Sequence, residues 1–329
     1  MVPLSVLDLA PIVEGGDAAG ALAEARRLAQ HAEALGYRRY WVAEHHNMPG
    51  IASAATAVVI AHIAAATKTI RVGAGGIMLP NHAPLVIAEQ FGTLEALFPG
   101  RIDLGLGRAP GTDQATAHAL RRTLVGDIDR FPNDVLELQA LLGPPEPGQR
   151  VRAIPGAGSN VPIWILGSSL YGAQLAALFG LPFAFASHFA PAQLLEALAL
   201  YRASFKPSAY CAQPTVMAAL AVVAAETDEE ARWLATSQTQ AFLNLRRGAP
   251  TPLPPPRDVA LSDAETAGLE QVRRYAAVGG PDLVRTRMRA FAALTGADEL
   301  IIAAQIFDAE KRLRSFELAA DLMASESSH

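Results

Sequence analysis

The sequence predicts a (β/α)8 TIM barrel, and three observations carry that expectation. Eight short β-branched or aromatic runs alternate with Ala/Leu-rich helical patterns along the 329 residues. Five polar or glycine-rich clusters fall where a strand hands over to the next loop: Glu44-His45-His46, Gly73 to Gly76, Gly105 to Arg108, Gly167-Ser168-Ser169 and Ser187-His188-Phe189. In a parallel barrel those strand ends share one face, and that face carries the chemistry. The turn after the first strand lacks the glycine fingerprint of a dinucleotide-binding open sheet, which weakens the doubly wound alternative.

The elements follow in order. Leu4–Leu9 reads as a strand, and residues 18–35 place Ala21, Leu22, Ala25, Leu28, Ala29, Ala32 and Leu35 on one helical stripe that stops at Gly36. Tyr37–Ala43, Ile70–Leu79 and Ile102–Leu106 are the next strands, with helices at Ser53–Ala66 and at Pro84–Phe98 between them. Pro84 opens that last helix at a position where a missing N–H costs nothing. Helical patterns near 112–124 and 131–142 lead to a Pro/Gly-rich connector, Gly143 to Pro162. Strands at Ile163–Leu166, Pro182–Ala186 and Thr215–Ala225 are separated by helices at Leu170–Phe179 and Pro191–Phe205. An excursion follows, with helices near 228–245, 263–278 and 281–294 and a proline-rich stretch from Pro250 to Pro256. Leu300–Ala304 completes the strand count, and a final helix carries Leu313, Phe316, Ala320 and Met323 on one stripe. No domain boundary is visible, so residues 1–329 are expected to form a single barrel domain.

Composition narrows the function. Hydrophobic residues make up 51% and charged residues 18%, the balance of a large core buried on several sides. A net charge of −5 gives no basic excess for nucleic acid or an anionic membrane. The lone Cys211 cannot form an internal disulfide, the N-terminus has no signal-type pattern, and apolar stretches are broken before spanning length. A cytoplasmic protein is expected. Cys211 itself reads as an inert core thiol.

Each cluster has a functional and a plain structural reading. Gly167-Ser168-Ser169 puts free N–H groups and two hydroxyls at a helix N-terminus, which suits a phosphate dianion; the alternative is a serine that only caps the helix. Arg108 lies past a neighbouring strand and could pair bidentately with the same phosphate, or form a surface ion pair with Asp113 or Glu137. Gly75 and Gly76 sit in a stretch too glycine-rich for an efficient strand interior, which marks a bulge, a flat ligand against the backbone, or close packing. Side chains alternate along a strand, so only one of His45 and His46 faces the barrel mouth, and His46 reads as a rim histidine bonded to backbone. A zinc set of Asp8, His45 and His188 is conceivable, but no spacing requires it, and no metal is expected. His118 and His188 are ambiguous lone histidines.

Together these stretches resemble the bacterial luciferase-like flavin monooxygenases, and the single-chain, luciferase-related oxidoreductases most of all. The resemblance rests on Tyr40 to His46, Ile70 to His82, Phe98 to Ala109, Ile165 to Ser169, Phe179 to Pro182 and Gly280-Pro281-Asp282, in that order over about residues 3–320. It implies that the phosphate of FMN sits on Arg108 and on Gly167, Ser168 and Ser169. It further implies that the isoalloxazine lies against Gly75 and Gly76, where the family carries a non-proline cis peptide, and that His45 is the catalytic histidine. The excursion around 246–262 matches a mobile lid that excludes water. One departure is Gly107, which stands where the luciferase α-subunit has a reactive cysteine; it opens space near the flavin and argues against light emission.

The resemblance implies a monooxygenase that uses reduced FMN as cosubstrate, delivered by a separate NAD(P)H:flavin reductase, with dioxygen and a small-molecule substrate. It also implies a homodimer built through the helices after the second and third strands. The alternatives are a deazaflavin-dependent dehydrogenase or reductase of the same superfamily, a non-catalytic flavin-binding barrel, and a metal-dependent barrel hydrolase.

Overall fold

A computed structural model of the chain describes residues 2–109, 114–120 and 130–324. Eight parallel strands close into a barrel: β1 (Leu4–Asp8), β2 (Arg39–Val42), β3 (Arg71–Met78), β4 (Ile102–Gly107), β5 (Ile163–Gly167), β6 (Phe183–Phe185), β7 (Val216–Ala224) and, skipping one short strand, β9 (Glu299–Ala303). β9 pairs with both β7 and β1, as in Leu4↔Leu300, and β6 pairs with β7, so the ring has no open edge. The helices α1 (Ala18–Ala34), α2 (Thr56–Ala66), α3 (Pro84–Leu97), α4 (Gln114–Leu120), α5 (Phe131–Leu142), α6 (Leu170–Phe179) and α7 (Leu194–Ser204) alternate with the first seven strands. Past β7 come α8 (Asp228–Arg246), α9 (Asp263–Val272), β8 (Ala277–Gly279), α10 (Pro281–Thr295) and, after β9, α11 (Ala309–Ala324). Among the described residues, no helix is long and apolar enough to cross a membrane.

The strands expected from the sequence are those of the barrel. β8 is the exception, because the sequence pattern predicts a helix over 263–278 that would include Ala277 and Val278. β7 explains it: β9 pairs with Met217 to Ala221 only, which leaves the backbone of Val222 to Ala224 open. Ala277 to Gly279 take up that end in parallel, which buries Ala277 and half-buries Val278 against the barrel and outweighs one further helical turn. The expected helix over 112–124 is described only as Gln114–Leu120, and the rest of it lies outside the described residues.

The barrel interior is not the branched aliphatic filling such barrels favour. At its amino-terminal end Arg39 donates to Asp103 at 2.6 Å and to Glu299 at 3.0 Å, while Arg71 donates to the other Asp103 oxygen at 2.6 Å. Ser5 also donates to Glu299, and all of these side chains but Arg71 are buried. Above them, Trp41 donates its indole N–H to Asp103 at 3.2 Å and meets Trp164 edge-on at 5.5 Å, and the Arg39 guanidinium lies 5.1 Å from the Trp164 ring. Leu7, Met217, Ala219 and Ile301 complete this layer. The barrel is therefore plugged from below and hollow only above the tryptophans.

Removing one member of such a buried pair strands the other charge. Asp103→Ala leaves Arg39 without its nearer carboxylate and is expected to lower unfolding free energy by about 3–5 kcal/mol, measured by urea denaturation. A loss below about 1 kcal/mol would show that water or Glu299 compensates.

Candidate active site

At the carboxyl-terminal face the barrel opens into a cavity of about 650 Å³. His45, Gly75, Gly76, Arg108, Gly167, Ser168 and Ser169, chosen from sequence, all line it. The structure thus brings together residues that lie within β3, at the end of β5 or just after β2, β4 and β5. Ser53 helps hold the rim, since its hydroxyl donates to the carbonyls of Ala43 at 2.6 Å and Leu9 at 3.2 Å and ties together the ends of β2 and β1.

One end of the cavity is built for an anion. Ser169 occupies the N-cap position of α6 with extended backbone (φ −143°, ψ 168°), yet its side chain makes no capping hydrogen bond. Among the described residues no side chain caps the first-turn N–H groups of α6, which leaves them open to a ligand. Ser169 thus stands at the N-cap position without making the capping bond. Arg108 stacks on Tyr171, in that same first turn, with its guanidinium 4.1 Å from the ring centroid. Cation–π contact holds the arginine over the helix N-terminus and leaves its N–H edge for an anion. Among the described residues Arg108 has no ion pair with Glu137, and Asp113 lies outside the described residues. An uncapped helix N-terminus beneath a stacked guanidinium fits a phosphate dianion, and so fits the phosphate of a flavin mononucleotide. Sequence reasoning missed Tyr171, whose signal was an aromatic two residues after the Ser-Ser turn.

The glycines serve ligand space and packing together. A Cβ on Gly75 would meet Leu7 at 2.7 Å and Trp41 at 3.0 Å, and one on Gly76 would meet the Gly105 carbonyl at 2.7 Å. The peptide between Gly75 and Gly76 is cis, and the register of β3 with β4 shifts between Ala74 and Ile77. Gly107 does not open free space: a Cβ there would lie 2.9 Å from the sulfur of Met78, whose side chain fills the room.

Two histidines reach the cavity. His45 lines its wall, and so does His188, which meets Phe189 edge-on at 4.9 Å. Burial, with the nearby His45 as a smaller cause, pushes the His188 imidazole down to about 4, so it is neutral at physiological pH. Its Nδ1 is buried with no hydrogen-bond partner among the described residues. His46 points elsewhere. Its Nε2 is 2.7 Å from Glu44, and His82 approaches the same carboxylate oxygen at 2.8 Å, while the Met78 N–H donates to the other oxygen at 3.0 Å. Burial opposes ionisation of Glu44, but these bonds outweigh it and hold its carboxyl below the usual range. Glu44 is thus a strut beneath the turn that follows β3. These three residues bring metal-type ligand atoms within 4.8 Å of one another. The set of Asp8, His45 and His188 does not form: Asp8 accepts from Arg312 at 2.5 Å, from Tyr40 and from the Ala10 N–H.

The excursion after β7 roofs the cavity with Arg246, Pro250, Thr251 and Leu253. It is tied down by paired backbone bonds, Leu253 N–H to Ile12 and Glu14 N–H to Leu253, both 2.8 Å. Cys211 is no core thiol. It is half-buried in the loop before β7, where its sulfur donates to the Gln213 carbonyl at 2.8 Å. The side chain of His118 lies outside the description.

The comparisons with known proteins agree with this architecture. Residues 2–299 match the family model for the luciferase-like monooxygenases. The chain belongs to that family. It is 54% identical over 324 residues, 98% of this chain and 97% of the relative, to a luciferase-like monooxygenase of Escherichia coli K12. An N-acetyl-S-alkylcysteine monooxygenase of Bacillus subtilis is 37% identical over 254 residues, 75% of each chain. The crystal structure of apo-MsnO8 superposes with a TM-score of 0.89 at 36% identity, covering 98% of both chains. The oxygenating constituent of 3,6-diketocamphane monooxygenase from Pseudomonas putida, solved with FMN, shares the fold with a TM-score of 0.72 at 18% identity, covering 97% of this chain and 96% of that one.

The neutral His188 gives this luciferase-like protein a pH signature. Its imidazole titrates at about 4 when folded and near 6.5 when exposed, so the unfolded chain binds the extra proton between those values. Stability is therefore lost as pH falls from about 6.5 to 4. Denaturation midpoints measured across that range are expected to fall less steeply in His188→Asn than in the parent.

Proposed function

We propose that this luciferase-like protein is a flavin-dependent monooxygenase that takes reduced FMN from a separate reductase and, with dioxygen, oxygenates a small organic substrate. The observation that carries the reading is the meeting of a stacked Arg108 with the uncapped N-terminus of α6 at one end of a cavity that His45 shares. The FMN complex of a neighbour and the monooxygenases among the relatives support it. Arg108, Ser168 and Ser169 would hold the phosphate, with Gly167 keeping the approach to it open. Gly75 and Gly76 present bare backbone where a flat ring can approach closely. Bound reduced FMN supplies the electrons that activate dioxygen.

The rest is the work of the chain's own residues. His45 would hold or move a proton at its imidazole beside the reacting atoms. The walls formed by Leu7, Trp41, Phe185 and Phe242 exclude water from the reacting atoms. The turn after β1 reads Pro11-Ile12-Val13-Glu14, with no nicotinamide fingerprint, which supports delivery of reduced flavin by a partner.

Assembly as a homodimer belongs to the same proposal. α2 carries no Asp, Glu, Lys or Arg, and Val58 on it and Leu97 on α3 are 69% and 62% exposed. Single apolar residues at a surface are ordinary, but an uncharged helix beside a second apolar position suits an isologous interface. Val58→Glu combined with Leu97→Glu is expected to convert the sedimenting species from dimer to monomer.

Titration of the full chain with reduced FMN tests the cofactor. Arg108→Gln is expected to weaken binding by about ten- to a hundred-fold, the loss of a charge-assisted contact. His45→Ala is expected to keep FMN affinity and change the time course of flavin oxidation by dioxygen. An unchanged course would favour a non-catalytic flavin carrier. Binding of a deazaflavin but not of FMN would instead favour the hydride-transfer alternative.

A further inference from the structure

Three arginines line the cavity, Arg108, Arg246 and Arg273, and among the described residues no Asp, Glu or Lys does. Arg108 has its place over the α6 N-terminus. The other two stand on α8 and just past the end of α9, in the excursion between β7 and β8. β7 lies three places round the eight-stranded ring from β4, the strand that carries Arg108 to the mouth. The cavity therefore has cations on two separate sides, and only one side is accounted for by a phosphate.

Arg273 is the more telling of the two. Its Nη2 donates to the Ala235 carbonyl at 3.1 Å and to the Thr239 hydroxyl at 2.5 Å, both neutral acceptors. Among the described residues no carboxylate pairs with it, and burial, unopposed by any neighbouring charge, lowers its pKa. A guanidinium stays protonated all the same, so a half-buried charge is left with neutral acceptors and no counter-charge. Arg246 stands exposed at the rim, its guanidinium 5.8 Å from the Phe242 ring. Gln238, Phe242 and Arg246 share one face of α8 at four-residue spacing, so that helix offers the cavity a polar, an apolar and a cationic group in line.

We infer that the substrate is an organic carboxylate with an apolar body, its acid group held by Arg273 with Arg246 at the rim and its body in the apolar cavity. The inference rests on the flavin assignment, which gives Arg108 and the α6 turn to the cofactor. A planar carboxylate matches the two-pronged donor edge of a guanidinium, and an apolar surround strengthens that pairing.

The test is calorimetry on the full chain with octanoate, octanamide and octylamine, each with and without saturating FMN. Octanoate is expected to bind at least about ten-fold more tightly than octanamide, in FMN-saturated protein as well. Arg273→Gln is expected to erase that preference while FMN affinity stays within about two-fold. Because Arg273 also docks α9 on α8, Arg273→Lys and the exposed Arg246→Gln are measured beside it, and each is expected to reduce the preference in part. Equal affinity for octanoate and octanamide, or no binding of octanoate, overturns the inference. A preference that vanishes on FMN saturation also overturns it, because the carboxylate then occupied the phosphate turn. Weakened FMN binding in a folded Arg273→Gln protein overturns it likewise. A chain that prefers octanoate but binds no FMN overturns the flavin assignment and leaves the anion subsite standing.

Discussion

The burial of Arg39 constrains everything above it in the barrel. A guanidinium inside a barrel is tolerable only when every charge near it is paired, and here Asp103 and Glu299 supply that pairing from β4 and β9, on opposite sides of the ring. The ion pairs therefore span the interior and fix three strands relative to one another. Two tryptophans then seal the plug: Trp41 is hydrogen-bonded to Asp103, and Trp164 lies against the guanidinium. Any cavity must open toward the carboxyl-terminal end, which is where the strand-end clusters lie.

The same plug explains the glycines. Trp41 points into the barrel, so β3 can pass it only without side chains, and a Cβ on Gly73 would come within 2.9 Å of the indole nitrogen and 2.5 Å of the Asp103 carbonyl. Gly105 on β4 is crowded in turn by the Ala74 carbonyl and Leu166. Close packing below and bare backbone above are thus one arrangement. The indole needs the space at the level of Gly73, and the same thin wall continues upward through Gly75 and Gly76 to the cavity. Packing and ligand access do not compete as explanations of this stretch.

Much of this was legible in sequence because it depends on local patterns. Alternation of apolar runs gave the barrel strands, and position after a strand gave the residues of the cavity wall. What could not be read depends on pairing over long sequence distances. Asp103, Glu299 and Arg39 lie up to 260 residues apart, and nothing local marks them as partners. Tyr171 beneath Arg108 and the shared Glu44 of His46 and His82 belong to the same class. β8 was missed for a related reason: Ala277 and Val278 suit helix or strand, and only the spare end of β7 decides between them. Gly107 misled differently. A missing side chain looks like space in a sequence, whereas Met78 had already filled it.

The placement of charge along the barrel completes the physical picture. Asp103 and Glu299 are paired with arginines in the plug, Asp8 with Arg312 and the Tyr40 hydroxyl at the end of β1, and Glu44 is held by two imidazoles and a backbone N–H. Every described carboxylate near the barrel axis is thus consumed by structure below or behind the mouth. The fixed charges left facing the cavity are guanidinium groups, set among apolar walls where a field is poorly screened. Such a mouth draws anions and repels cations before any specific contact forms. A phosphate bound at the α6 turn would neutralise only the side where Arg108 stands, because Arg246 and Arg273 arrive from a different arc of the ring. On the proposed reading the cavity would keep its positive bias with a cofactor bound there, and a second ligand would meet that residual charge.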